Sequence, residues 1–515
     1  MHDSRPNLLL IILDTLRRDR LSIYGNPRPA SPHFDAFAAD HLLFERAVAP
    51  AQWTIPAHGS LFTGLYPGAH GLTQANGVLS GAFPTLAEIL TAAGYHTTAF
   101  CNNPLVGALD NGLQRGFDAF YNYATAIPNR PEIAKRPKRS KIRRDFTEWF
   151  RPHARRIGNM FAQSDTMFRL ALNPLFVPIW AEQIHFKGHT QDSINDLIDY
   201  WQAYHAGGRE RPMFAFVNLM GAHLPYHPPQ DAIDKIAPEL RRDSRAYGFM
   251  RGINADGAGW ASPRETPLED WQHHVLEAFY EAEIANQDAH LGRLLDFLKT
   301  SGALDNTVVV VAADHGEMHG EHDYFGHGFS VHQELVHVPM TMHLPDQPAG
   351  KVSANISTRR LFHTLLDLAH AETPLDPADP NANVRGLSLL NVIEQRKEVE
   401  TVPFSEAVPP TTFLNVLKHR SPAVIEKLSL LDTRRTVYDG DYKLMLRGER
   451  VEALYQVAND PTEAHNLVND AMYTAVIDSL KRRITPLVNG VHLESDTTEV
   501  SEEVMDQLRA LGYID

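Results

Sequence analysis

One hydroxyl stands at the head of the most chemically suggestive stretch of the sequence. Thr54 precedes Pro56 and His58, and the small and apolar residues 59–62 predict the opening of a buried helix. The turn into a helix leaves backbone N–H groups free, and a phosphate or sulfate oxyanion is favoured there. The pattern is typical of a presented nucleophile, although a threonine ahead of a helix is more often a simple N-cap.

A second group of residues has the chemistry of a cation site. Asp14 and Asp314 each follow an apolar run that predicts a buried strand, and His315 comes directly after Asp314. Two carboxylates, an imidazole and the Thr54 hydroxyl suit a divalent cation, Mn²⁺ or Zn²⁺ first, with Ca²⁺ and Mg²⁺ as alternatives. We therefore expect these four residues to form one metal site.

These residues need a scaffold that brings distant parts of the chain together. Buried strands are predicted at 7–13, 96–101, 213–220 and 307–313, and amphipathic helices at 85–93, 275–300 and 358–369. Strands that alternate with helices indicate an α/β fold with a mostly parallel sheet covered on both faces. Ligands collect at the carboxyl ends of such strands, where Asp14 and Asp314 lie.

The rest of the chain divides into insertions and a second unit. Residues of about 124–190 and 230–271 lack clear periodicity, and we interpret them as insertions over the substrate side of the sheet. A Pro-rich stretch, 373–380, predicts a linker. Short strands at 402–405, 435–438, 442–446 and 453–457 and a helix at 471–488 predict a small antiparallel sheet with a closing helix. We expect a catalytic domain at 1–395 and a C-terminal subdomain at 396–515.

Composition limits the class of protein. The chain has 515 residues, of which 43% are hydrophobic and 22% charged, as in soluble globular proteins. No apolar run approaches the roughly 20 residues that span a bilayer, and the first residues lack the order of a secretory signal, so a cytoplasmic location is predicted. The single cysteine, Cys101, excludes a disulfide framework within the chain, and the net charge of -15 argues against nucleic-acid binding.

One segment reverses the acidic character of the chain. Residues 130–156 carry eleven lysines and arginines against three acidic residues, with apolar side chains between them. Such a segment suits an anionic lipid surface or an anionic polymer. A solvated insertion or a contact between subunits of a homo-oligomer is the alternative.

An ordered series of motifs resembles the sulfatase family of the alkaline phosphatase superfamily, and it runs from about residue 7 to residue 467. The matching segments are Asp14-Thr15-Leu16-Arg17, Trp53-Thr54-Ile55-Pro56-Ala57-His58, Ala222-His223-Leu224-Pro225-Tyr226, Asp314-His315-Gly316-Glu317, Gly320-Glu321-His322, Gly326-His327-Gly328, Val338-Pro339 and Asn459-Asp460-Pro461. The resemblance implies an α/β sandwich around a mostly parallel mixed sheet. It also implies a small C-terminal domain on a four-stranded antiparallel sheet.

The resemblance also implies roles for individual residues. Thr54 stands at the position of the family's nucleophile, and His58 at that of an arginine in the usual signature. His223 falls on a substrate-contacting histidine, and His327 on a substrate-binding lysine. We expect His58, His223 and His327 to contact the anionic oxygens or to protonate the leaving group.

Two departures from the family pattern determine the expected chemistry. Typical sulfatases oxidise a cysteine or serine to formylglycine, whereas the extra methyl group of Thr54 prevents formation of an aldehyde. The family's paired aspartates are here Asp14-Thr15. A threonine nucleophile with one such aspartate is similar to phospho-transfer branches of the superfamily, such as lipoteichoic acid synthases and phosphoethanolamine transferases.

The expected function is therefore a metal-dependent hydrolase that cleaves phosphate esters, diesters before monoesters, through a phosphorylated Thr54. Three alternatives stay open: a sulfatase without formylglycine, a phosphotransferase with an alcohol acceptor, and a pseudoenzyme that binds an anionic partner through its basic insertion. The nearby His319 and His322 leave open a second metal ion.

Overall fold

The computed structural model describes residues 5–124, 129–132, 187–208, 211–261, 263–264, 266–371, 384–394, 402–488 and 496–497. Its strands are β1 Asn7–Leu13, β2 Leu42–Val48, β3 Gly77–Val78, β4 His96–Cys101, β5 Ala119–Asn122, β6 Met213–Leu219, β7 Thr307–Ala312, β8 Met318–His319, β9 Phe325–Gly326, β10 His337–His343, β11 Gly350–Ser357, β12 Phe404–Ala407, β13 Arg434–Asp439, β14 Tyr442–Arg447, β15 Arg450–Gln456 and β16 Asp496–Thr497.

The α-helices are α1 Pro32–Asp40, α2 Thr54–Thr63, α3 Pro67–His70, α4 Leu86–Ala92, α5 Pro104–Gly107, α6 Thr190–Ala206, α7 Gln230–Ile236, α8 Ser244–Ala255, α9 Asp270–Thr300, α10 Gln333–Val336, α11 Arg360–Leu368, α12 Leu390–Ile393, α13 Thr411–Arg420, α14 Pro422–Lys427 and α15 Thr474–Val488. Short 3₁₀ segments join several of them. The four buried strands and the three helices predicted before the linker are all present, with ends that shift by a few residues.

An eight-stranded sheet forms the centre of the molecule, in the order β11-β2-β10-β7-β1-β6-β4-β5. Strand β1 pairs in parallel with both β6 and β7, while β10 runs antiparallel to β7 and β2. The sheet is therefore mixed and mostly parallel, as predicted. All seven residues of β1 are buried, which explains its continuous run of leucine and isoleucine.

The register of the central strands determines where their polar neighbours lie. Leu13 pairs with Leu219 at the end of β6, and Ile12 pairs with Ala312 at the end of β7. Because these strands are parallel, the residues that follow them meet at one edge of the sheet. Asp14 and Asp314 lie at this edge.

Helix α9 covers one face of the sheet and organises the predicted insertion at 230–271. The segment interpreted as this insertion contains α7, α8 and two 3₁₀ segments, although its sequence shows no clear period. Ile233 and Ile236 of α7 are buried, as are Met250 and Ile253 of α8, and both helices pack against α9. Their apolar faces are too short to show a period in the sequence.

A second sheet, β12-β13-β14-β15, is antiparallel throughout, as predicted for the C-terminal region. It has a small core of its own with helix α15. The core residues are Phe404, Val437, Leu444, Leu446, Leu454, Leu480 and Ile484.

Part of the sequence lies outside the described residues. Of the basic segment 130–156, the structure describes residues 130–132, and the predicted linker 373–380 is not described. Arg130 forms ion pairs with Asp192 and Asp196 of α6. Across the described ranges, none of the helices combines the length and hydrophobicity that a membrane crossing needs.

A buried ion pair inside the C-terminal unit also contacts Val331 and His332, which precede α10. Lys443 Nζ of β14 donates to Glu463 Oε1 at 2.5 Å and to the carbonyl of Val331 at 2.7 Å. His332 Nδ1 lies 2.6 Å from Glu463 Oε2. Both side chains of the Lys443–Glu463 pair are 0% exposed, so neither charge is solvated if its partner is removed.

We expect Lys443→Met to lower the free energy of unfolding by about 3 kcal/mol, because it leaves the Glu463 carboxylate buried without its counter-charge. The exposed Lys418 is the matched control, and Lys418→Met should change stability by less than about 0.5 kcal/mol. Urea unfolding followed by circular dichroism measures both. Equal effects for the two variants would show that the buried pair contributes nothing specific.

Candidate active site

Three ligand groups converge at the carboxyl edge of the large sheet. Atoms of Asp14, Asp314 and His315 lie within 4.8 Å of one another, and all three side chains are buried. His315 Nε2 is 3.4 Å from Asp314 Oδ2 and 4.0 Å from Asp14 Oδ1. The structure thus brings together three of the four residues predicted to hold a metal, and the fourth, Thr54, adjoins them.

The hydrogen bonds around this cluster leave one oxygen of each carboxylate unused. Asp14 Oδ2 accepts from the side-chain amides of Asn103 at 2.6 Å and Asn218 at 3.1 Å. Asp314 Oδ1 accepts from the N–H groups of Thr15 and His315. Among the described residues, Asp14 Oδ1 and Asp314 Oδ2 are buried without a hydrogen-bond partner.

The orientation of His315 adds a third unused ligand atom. Its Nδ1 lies 2.8 Å from the carbonyl oxygen of Gly316, which can only accept, so Nδ1 carries the proton and the Nε2 lone pair faces Asp14 and Asp314. Two carboxylate oxygens and one imidazole nitrogen that point at a common volume fit a divalent cation.

The chain alone cannot readily hold this cluster in its charged form. Burial, and secondarily the nearby Asp314, raise the pKa of Asp14 to about 7. Burial likewise raises the pKa of Asp314 to about 7 and lowers the pKa of His315 to about 4. A cation among these groups would favour two ionised carboxylates and a neutral imidazole.

Thr54 is the first residue of α2 and lies against the cluster. Its Oγ1 is 3.3 Å from His315 Nε2 and 3.4 Å from Asn103 Nδ2. Helix α2 is buried along all ten of its residues, so the hydroxyl is held in place by the core. The unpaired N–H groups of the first helical turn start at the same point.

His58 lies one turn further along α2 and has both nitrogens engaged. Nδ1 faces the Thr54 carbonyl at 2.9 Å, and Nε2 faces the Asn218 amide at 3.4 Å. The ring is 0% exposed, with Phe62 and Phe216 edge-on against it. Burial lowers the pKa of His58 to about 4. Both ring nitrogens of His58 are thus engaged by groups of the chain itself, and its contact with substrate stays a prediction.

His327 and His223 lie on another side of the cluster. The ring centroid of His327 is 4.7 Å from that of His315 and 5.2 Å from that of His223. His327 Nδ1 contacts the buried Glu317 carboxylate at 2.9 Å. Burial opposes the charged ring, but Glu317 outweighs it and raises the pKa of His327. For His223, burial and His327 hold the pKa well below its usual value.

Three residues of the site escaped the sequence prediction, namely Asn103, Asn218 and Glu317. Asn103 follows β4, and its Oδ1 accepts from the Leu105 N–H, which turns the amide N–H toward Asp14 and Thr54. Asn218 is the one polar side chain in the apolar run of β6. A polar residue within or just after a buried strand was the available signal for both asparagines.

The predicted alternative of a second metal through His319 and His322 finds no support at this edge. His319 Nε2 lies 3.0 Å from the hydroxyl of Tyr226. His322 belongs to a separate group with His332 and Glu463. Neither histidine is part of the Asp14, Asp314 and His315 group.

This fold and this site define an ester hydrolase of the alkaline phosphatase superfamily. A sulfatase family model matches residues 6–371, and a model named N-sulphoglucosamine sulphohydrolase, C-terminal, matches residues 320–490. The chain belongs to the sulfatase family.

Relatives of this chain carry several named activities. An arylsulfatase of Clostridium perfringens is 24% identical over 94% of this chain and 95% of its own length. The multifunctional alkaline phosphatase superfamily protein PehA of Trinickia caryophylli is 23% identical over 92% of this chain and 93% of its own length. The structure of the phosphonate monoester hydrolase of Agrobacterium radiobacter covers 97% of this chain with 99% of its own, at a TM-score of 0.63 and 23% identity.

We expect the purified chain to bind a divalent cation stoichiometrically and Asp314→Asn to lose it, because one of two anionic ligands becomes neutral. Asp305→Asn makes the same change at an exposed position before β7 and should keep the cation. Inductively coupled plasma mass spectrometry after dialysis measures the content. Full occupancy in Asp314→Asn would remove Asp314 from the ligand set.

Proposed function

We propose that this chain hydrolyses singly charged phosphorus esters, phosphodiesters above all, through an unmodified Thr54 nucleophile and a covalent phospho-enzyme. The observation that carries the proposal is the place of Thr54 Oγ1, 3.3 Å from His315 Nε2 at the head of a fully buried helix. A threonine there offers a hydroxyl but no route to formylglycine.

The residues at the carboxyl edge of the large sheet have different roles in the first step. A divalent cation held by Asp14, Asp314 and His315 would lower the pKa of a bound hydroxyl and offset charge on the transferring group. Thr54 loses its proton to solvent, and Oγ1 attacks phosphorus while the bond to the leaving oxygen breaks. Asn103 and His58 fix Thr54 from two sides, so attack needs little reordering.

His327 is our choice for the group that protonates the leaving oxygen. Its Nδ1 is held by Glu317, and among the described residues its Nε2 has no hydrogen-bond partner. A proton on Nε2 is therefore available to an ester bound beside Thr54. In the second step the same nitrogen takes a proton from the water that attacks phosphorus and releases Thr54. If an alcohol attacks in place of water, the phosphoryl group is transferred to that alcohol, which is the phosphotransferase alternative.

The charge of the site favours a monoanion. The carboxylates of Asp14 and Asp314 balance one divalent cation, and His327 is paired with Glu317. Burial keeps His58 and His223 neutral at pH 7, because it lowers the pKa of both rings. With no net charge left over, a diester or phosphonate monoester, each with one negative charge, suits the site better than the dianion of a phosphate monoester.

Sulfate esters are monoanions too, so charge alone does not exclude the sulfatase alternative. A sulfated Thr54 lacks the second hydroxyl with which formylglycine collapses, and its release would require direct attack on sulfur. Phosphorus is therefore the better centre. The phosphonate monoester hydrolase among the structural relatives is consistent with this choice.

We expect Thr54→Ala to lower kcat by about a thousand-fold or more while the metal content stays unchanged, because the nucleophile is lost but the two carboxylates and the imidazole remain. Thr54→Ser keeps the hydroxyl and should stay within about tenfold of the wild type. Intact-peptide mass spectrometry after rapid quenching should show a phosphoryl group on Thr54. An alanine variant with normal turnover would exclude this nucleophile.

A panel of 4-nitrophenyl esters tests the choice of substrate. We expect kcat/KM for a phosphodiester or a phosphonate monoester to exceed that for the phosphate monoester and the sulfate ester by about tenfold or more, since charge and centre both favour the first two. A preference for the sulfate ester would establish the sulfatase alternative. No turnover on any ester, with no bound metal, would instead support a pseudoenzyme.

A further inference from the structure

A cavity lies where residues 322–332 meet the C-terminal sheet, and we refer to it as the junction cavity. It has a volume of about 250 Å³. Its lining includes His322, Tyr324, His332, Lys427, Arg434 and Arg447. None of the residues proposed for catalysis lines it, so its chemistry needs an explanation of its own.

The lining carries an excess of positive charge. Arg434 and Arg447 stand directly opposite each other on the antiparallel strands β13 and β14, an arrangement that is unfavourable for like charges. The acidic side chain in the described lining is Glu452, whose carboxylate is 3.2 Å from Arg434 Nε and 3.8 Å from Arg447 Nε. With Lys427 added, the lining holds three cations and one carboxylate. Outside the lining, Asp432 lies 3.8 Å from Arg447 Nε and Asp323 pairs with Lys427.

Two of these cations retain N–H groups for a ligand. Arg447 donates Nη1 to the Ser429 hydroxyl at 2.8 Å, and no described residue accepts from its Nη2. Lys427 pairs with Asp323 at the surface, where both side chains are more than half exposed and the pair is easily exchanged. Arg434, by contrast, is used up by Glu452 and by backbone carbonyls.

Stacked histidines form part of the wall. The rings of His322 and His332 are parallel to within 4°, with centroids 3.8 Å apart. His332 Nδ1 donates to the buried Glu463, so its Nε2 is the free nitrogen.

His322, His332 and Glu463 also have ligand atoms within 4.8 Å, which suggests a metal site as the competing interpretation. Both oxygens of Glu463 are already taken, Oε1 by Lys443 and Oε2 by His332 and the Gln333 N–H. A cation there would displace the buried ammonium group of Lys443 and face the arginines of the cavity. The charges favour an anion.

We propose that the junction cavity binds an oxyanion, a phosphate or sulfate group, through Arg447 and Lys427 with His332 beside it. Two sources have this chemistry: the ion released by the reaction, and a second anionic group on an extended ester. The site itself does not require the proposed Thr54 chemistry. Only its link to turnover rests on the proposed function.

Calorimetric titration of the full chain with inorganic phosphate and sulfate tests the site. The titrations are carried out in the Asp314→Asn variant, because this change removes any anion binding that depends on a metal at the catalytic edge. Arg447→Gln or Lys427→Gln in this background should weaken binding by about tenfold, one charge-assisted hydrogen bond. Arg482→Gln removes the same charge from an exposed position on α15 outside the cavity and should leave affinity unchanged.

Several results would overturn the proposal. Equal affinity in all three variants, or the absence of saturable binding in the background, would exclude an oxyanion site here. Zinc binding that is retained in Asp314→Asn and lost in His332→Ala would establish the metal interpretation. Because Lys427 is 60% exposed, Lys427→Gln gives a readout even if Arg447→Gln fails to fold.

Kinetics in the otherwise wild-type chain distinguishes the two sources. If the cavity holds the far end of a substrate, Lys427→Gln should raise KM for an aryl diester that carries a distant sulfate group. The same variant should leave KM for the parent diester, which lacks that sulfate group, unchanged. If it holds the released ion, both KM values should stay the same while inhibition by phosphate changes. Loss of turnover on every ester would refute the proposed function, and the calorimetric result would still decide the site.

Discussion

Two carboxylates buried side by side dominate the architecture of this protein. Asp14 and Asp314 are both buried and repel each other, and the chain places a neutral imidazole between them instead of a lysine or arginine. Asparagine amides and backbone N–H groups satisfy one oxygen of each and leave the other bare. Such an arrangement is costly unless a cation completes it, so a cation bound here would also stabilise the fold.

The strand pairing of the large sheet holds Asp14 and Asp314 in this arrangement. Strand β1 lies between β6 and β7, so the ends that carry Asp14, Asn218 and Asp314 are locked by continuous parallel ladders. Thr54 comes from a different layer, at the head of α2. His58 ties it back to the sheet by bonding both the Thr54 carbonyl and Asn218. The start of α2 thus places Thr54, and the ends of β1 and β7 place Asp14 and Asp314.

The sequence predicts the interior strands well because burial on both faces leaves no choice but apolar runs, and it predicts Asp14, Asp314 and His315 because they interrupt such runs. Strand β2 is missed because Glu45 and Arg46 break its apolar pattern, and β11 because it is a polar edge strand. The antiparallel direction of β10 has no local signature at all. The engagement of both His58 nitrogens and the Glu317–His327 pair depends on contacts across the chain, which one sequence does not record.

The placement of positive charge differs between the catalytic edge and the junction cavity. At the catalytic edge, histidines occupy positions where the family resemblance leads one to expect arginine and lysine, and burial keeps His58 uncharged because its pKa falls to about 4. Permanent cations are gathered instead at the junction cavity, where Arg434 and Arg447 face each other across a strand pair. Without permanent positive charge beside Thr54, the catalytic edge has a lower affinity for dianions. Positive charge in the junction cavity favours ligands that carry a second anionic group. Discrimination between substrates would then come from the junction between the two sheets, while the rate would come from the strand ends.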